Sequence, residues 1–196
     1  KGIDLQRENL EFQWVNRMPL VEKDINDSRG KTNINFWTAE DETDGTSESS
    51  LDVEAMSLPA GTRWVGMKQK FFLSAILTKS GFAGGEIETR VNQADSTVKT
   101  GKVLTRIPAA TASAGGMALQ FYLGPNNYKT LGEIAPGFQE NVYLGWPPVH
   151  YVNEYLIVPL FYFLSSLTSN YGLIIIILVI VIRLFLLPLS YKSFLG

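Results

Sequence analysis

Apolar and polar residues alternate in short runs through the first two thirds of the chain, then give way to long apolar stretches. "LEFQWVNRMPL" (10–20) sets Leu10, Phe12 and Trp14 against Glu11 and Gln13, the period-two pattern of a half-buried strand. "TNINFWT" (32–38) repeats it with Ile34 and Phe36, and the intervening "EKDINDSRGK" reads as a charged turn or loop. Residues 39–61 are acidic, rich in Ser and Gly and without clear period, which predicts a solvated loop. Strand patterns resume at Arg63 with "RWVGMKQKFFLSAILTK", "IETRV", "VKTGKVLTRI" and "MALQFYLGP", separated by "SGFAGGE", "NQADST" and "PAATASAGG". Short runs spaced by such turns predict a mainly β soluble domain over residues 1–145, an antiparallel sandwich. "YKTLGEI" (128–134) suits a short helix.

The pattern then changes. Residues 146–169 open on Pro147-Pro148, a helix start, and end near Ser169-Asn170, a turn. Between them lies an expected helix with Tyr151, Tyr155 and Tyr162 among apolar residues, and His150, Asn153 and Glu154 on part of its surface. It reads as an amphipathic helix lying in a membrane interface, with its tyrosines at headgroup level. The competing reading is a helical hairpin with the next segment, in which Glu154 meets Arg183. Pro159, a short apolar core and the absence of basic flanks favour the interface.

Residues 170–192 predict a transmembrane helix. Leu173–Ile182 is an unbroken apolar decamer, and after Arg183 the apolar character continues to Leu189. An arginine near mid-bilayer costs about 2.5–3.5 kcal/mol, which ten Leu, Ile or Val residues offset with roughly 3–6 kcal/mol. The helix can insert, but its arginine needs water or a partner. Ser190, seven residues on, shares its face; the other positions of that face are apolar.

Charge follows the same division: 15 of the 17 Lys and Arg and 18 of the 19 Asp and Glu lie in residues 1–150. A net charge of −2 argues against nucleic-acid recognition. The chain has no cysteine, so neither a disulfide framework nor a thiolate metal site is available, and His150 is its only histidine. No catalytic triad or phosphate-binding loop is present, so no enzyme, cofactor or metal is expected. An exported domain needs a leading element that Lys1-Gly2-Ile3 does not supply. The β domain is therefore expected to be incomplete at its start, and residues 193–196 to open a truncated cytoplasmic segment.

Together "FYLGPNNYKTLGEI", "GWPPVHYVNEYLIVPLFYFLSSL", "NYGLIIIILVIVIR" and "LPLSYKS" resemble the YidC membrane-protein insertase family, over about residues 119–193. "RWVGMKQKFF" and the general character of the earlier region resemble its periplasmic β-supersandwich. The resemblance implies a bacterial inner-membrane protein, multi-pass in its full form, that inserts and helps fold membrane proteins through a hydrophilic groove, alone or with the Sec translocon. Arg183 would line the groove, with Ser190 a neighbour on the same face. Implied partners are nascent membrane-protein substrates, the lipid bilayer, the Sec translocon and the ribosome. One span of the family's five or six is visible. The alternative is a periplasmic β-sandwich adaptor or binding module tethered by a single span.

Overall fold

In a computed structural model the described residues are 9–113 and 116–194, with the side chains of 112, 113, 185 and 188–194 left aside. They divide into two compact units, Lys1–Val142 and Tyr143–Gly196.

The first unit is built from two antiparallel sheets. One is formed by β1 (Leu10–Pro19), β4 (Glu54–Leu58), β7 (Gly85–Arg90) and β8 (Thr97–Ile107), in the order β1-β8-β7-β4. The other is formed by β2 (Asn33–Trp37), β3 (Thr43–Gly45), β5 (Trp64–Lys68), β6 (Phe72–Leu77) and β9 (Gln120–Pro125), in the order β3-β2-β5-β6-β9. Alternation makes each strand two-faced. Met18, Leu58, Ile87 and Val103 of the first sheet meet Ile34, Phe36, Val65, Met67 and Ile76 of the second in a dry core.

The second sheet is covered on its outer face as well. Helix α3 (Tyr128–Ile134) and a 3-10 turn (Phe138–Asn141) lay Leu131 and Phe138 on Trp37, Trp64, Leu73, Ala75 and Leu77. Phe138 packs edge-on against Trp64 (5.1 Å between centroids) and Tyr122 (5.5 Å). This layer explains why every residue of β2 is buried, although its alternation promised a solvent face. Asn35 is paired from the covering segment, its Nδ2 donating to Asn141 Oδ1 at 3.1 Å and Asn141 Nδ2 to the Phe138 carbonyl at 3.0 Å, whereas Asn33 Nδ2 donates to the Thr46 carbonyl at 2.9 Å. Gly137 enters the 3-10 turn at φ 69°, and a Cβ there would fall within the Trp37 indole, so only glycine fits.

Three expected loops contain regular structure. "EKDINDSRGK" holds helix α1 (Ile25–Arg29), whose first amides, Asn26 N and Asp27 N, donate to the Asp24 carboxylate at 2.8 and 3.1 Å. The helix delivers Arg29 to a buried position, where it donates to the carbonyls of Asn92, Asp95, Thr97 and Val98 and pins the turn between β7 and β8. The acidic stretch 39–61 contributes β3 and β4, and "PAATASAGG" contains α2 (Ala109–Ser113). Acidic residues there also do structural work: Lys68 pairs with Glu48, and buried Lys99 donates to the Glu48 carbonyl at 2.9 Å. Burial pushes the Lys99 ammonium below the usual lysine range, against the opposing pull of Glu54 and Glu48.

Candidate functional site

The second unit carries the residues singled out for function. Its first helix is interrupted. Helix α4 (Pro147–Val152) begins with the two prolines at its free N-terminal positions, a π turn follows at Asn153–Ile157, and α5 (Val158–Leu167) continues. Proline at 159 has no amide hydrogen to offer the preceding turn and its ring crowds the backbone there; a widened turn accommodates both. The expected continuous helix over 146–169 is thus two helical pieces joined by a π turn. Asn153 Nδ2 donates to the Leu144 carbonyl at 2.6 Å and ties the start of the unit to the π turn. His150 Nε2 lies 3.4 Å from Glu154 Oε2, one helical turn on. The hydroxyls of Ser165 and Ser166 donate back to the carbonyls of Tyr162 and Phe163.

Asn170 turns the chain into α6 (Tyr171–Phe194) by accepting from Leu173 N at 3.2 Å. The two helices pack near the turn through Leu164, Ile174 and Leu178, flanked by Leu160, Phe161 and Ile177. Phe161 stacks on Tyr171 at 6.2 Å and 17°. Beyond that seam α6 is bare: Ile175, Ile176, Val179, Ile180, Leu184, Leu186 and Leu187 are exposed.

Arg183 stands in this bare part and is itself exposed. It follows Ile174 by nine residues, and at 3.6 residues per turn that places it about 180° around the helix from the seam. Arg183 therefore faces away from α5. The Ser190 side chain lies outside the described residues, as do residues 195 and 196. Among the described residues no helix is long and apolar enough to cross a membrane. No group of three or more His, Asp or Glu among them stands ready to hold a metal ion.

Sequence reasoning missed a cleft in the first unit. Trp37, Trp64, Leu77, Leu119, Ile134 and Pro136 enclose about 440 Å³, with Arg63 and Lys79 also in the lining. Its residues come from five separate stretches of chain, and no local motif announces it.

A family model of the YidC periplasmic domain matches residues 17–162, from β1 through the π turn into α5. The chain belongs to the YidC family. It is similar to the membrane protein insertase YidC of Amoebophilus asiaticus, 38% identical over 191 residues, covering 95% of this chain and 32% of the relative. The corresponding YidC of Cytophaga hutchinsonii is 35% identical over 190 residues, covering 89% and 30%. That of Parabacteroides distasonis is 27% identical over 195 residues, covering 95% and 30%. The chain therefore spans about a third of the length of the YidC relatives it matches.

Proposed function

We propose that this chain is the part of a bacterial membrane-protein insertase that joins the end of a periplasmic β domain to the first wall of a membrane groove. Family membership and an exposed arginine on an otherwise apolar helix face carry the reading. In it, α6 spans the inner membrane, while α4 and α5 lie at the periplasmic interface. Further spans of the full-length protein complete a water-filled groove around Arg183, with Ser190 on the same face.

The function is physical rather than chemical, and no residue acts as a catalyst. A polar tail crossing a bilayer must be stripped of water, at a cost that grows with the number of groups desolvated. A hydrated, positively charged recess shortens the dry path and gives an acidic tail a transient partner, while the substrate's apolar segment moves sideways into lipid. Arg183 faces away from α5, which leaves it open to groove-forming helices rather than to its neighbour in the hairpin. The same surface supports a chaperone role for newly inserted helices, and the Sec translocon and the ribosome are partners of the full-length protein.

The test is Arg183→Ala in the full-length protein, with insertion followed by protease protection of several substrates whose translocated tails carry acidic residues. Insertion should fall several-fold for those substrates and recover with Arg183→Lys. Unchanged insertion of all of them would remove Arg183 from the groove.

A further inference from the structure

The cleft of the β unit lies at one end of the five-stranded sheet. Trp37 is in register with Trp64, Trp64 with Leu77, and Leu77 with Gln120. These positions are the last of β2 and β6 and the first of β5 and β9. Helix α3 ends here, and Ile134 and Pro136 supply the other wall.

The interior is apolar and its donors are already used. Trp37 Nε1 donates to the Asp41 carboxylate at 3.2 Å, and Trp64 Nε1 to the Pro136 carbonyl at 3.0 Å. Leu77, Leu119 and Ile134 bring no polar side-chain atom. The charged lining residues are both cations, Arg63 and Lys79, and both are exposed. Thr78 N donates to the Arg63 carbonyl at 2.8 Å, so the two cations stand at the ends of adjacent strands. The hydroxyls of Thr78 and Ser80, 3.2 Å apart, lie beside them. Among the described residues Lys79 makes no ion pair, and Arg63 reaches Asp41 only at 3.6 Å, a contact between exposed groups that is worth little.

We propose that this cleft binds a fatty acid, with the hydrocarbon chain between the two tryptophans and the end of α3 and the carboxylate at Arg63 and Lys79. Its volume of about 440 Å³ falls within the roughly 300–1,000 Å³ of small-molecule sites. A peptide would carry an amide and a carbonyl per residue against indoles whose N–H groups are taken, and each buried group left unpaired is costly. A hydrocarbon chain has no such groups and gains about fourfold in affinity for each methylene buried. The cationic rim, with no carboxylate among the lining residues, selects an acid over a neutral lipid. The site is separate from Arg183, and failure of either reading leaves the other standing.

The experiment uses the full-length protein in lipid nanodiscs and dodecanoic acid carrying a diazirine on its chain. After photolysis the labelled residues are mapped by mass spectrometry, with the label recovered in the lipid as reference. Label should appear on 118–120 and 134–136. It should fall about fivefold in the Arg63→Gln, Lys79→Gln double variant, and as much when the methyl ester replaces the acid. Both side chains are exposed, so the double variant should keep the parent's melting temperature. If it does not, the comparison of acid with ester on the unsubstituted protein decides. Label confined to other segments, no label, or label on the cleft that is indifferent to either change would overturn the proposal.

Discussion

Phe138→Ala should loosen the layer that covers the second sheet. Phe138 is fully buried and lies edge-on to both Trp64 and Tyr122, with Leu131 beside it. Truncating a buried phenylalanine costs about 3–5 kcal/mol, a large share of the roughly 5–15 kcal/mol that holds a domain together. At roughly 2–4 °C per kcal/mol, the β unit should melt about 6–20 °C lower. Phe138→Leu separates the contributions. It keeps most of the apolar volume and loses two aromatic edge contacts of about 0.5–1.5 kcal/mol each, so its cost should be about 1–3 kcal/mol. Thermal unfolding followed by near-ultraviolet circular dichroism, which reports on the Trp37 and Trp64 environments, measures both variants. If alanine and leucine both melt within about a degree of the parent, Phe138 does not clamp this layer.

Gly137→Ala should destabilise the same layer by several kcal/mol, because a left-handed backbone and a Cβ overlapping the Trp37 indole act together; a denaturant titration reads it. Asp24→Ala removes the cap of α1 and should cost about 1 kcal/mol, with faster hydrogen exchange at Asn26 and Asp27. Lys99 has a folded pKa below its ordinary 10.5, so the unfolded chain holds its proton more tightly and stability rises with pH through that interval. Lys99→Met should flatten that rise, and parallel slopes for parent and variant on the alkaline side would refute it.

Strand alternation made β1 and β2 legible, through Leu10, Phe12 and Trp14 in one and Ile34 and Phe36 in the other, whereas β8 stood out by its β-branched residues between two turn sequences. The acidic stretch hid β3 and β4, whose three and five residues sit at sheet edges and bury little. Helix α1 is five residues long, too short for any helical period, and is held by its cap and by Arg29. The burial of Asn33 and Asn35 was not legible, since the partner of Asn35 is Asn141, 106 residues away. The π turn was foreshadowed only by Pro159. On α6 the position of Arg183 within an apolar run was plain, but its direction depended on which residues meet α5, and Ile174 and Leu178 decide that.

The Asn35–Asn141 bond has a mechanical consequence. Asn141 is one residue before the end of the β unit, and its partner sits on β2, an interior strand of the five-stranded sheet. A pull arriving along the chain through Val142 would load that interior strand and the Trp64–Phe138 contact before any sheet edge. Strands pulled at an edge peel open one hydrogen bond at a time, whereas a load on the interior must be shared by two neighbouring ladders at once. The covering segment thus ties the end of the β unit to the middle of a sheet rather than to its margin.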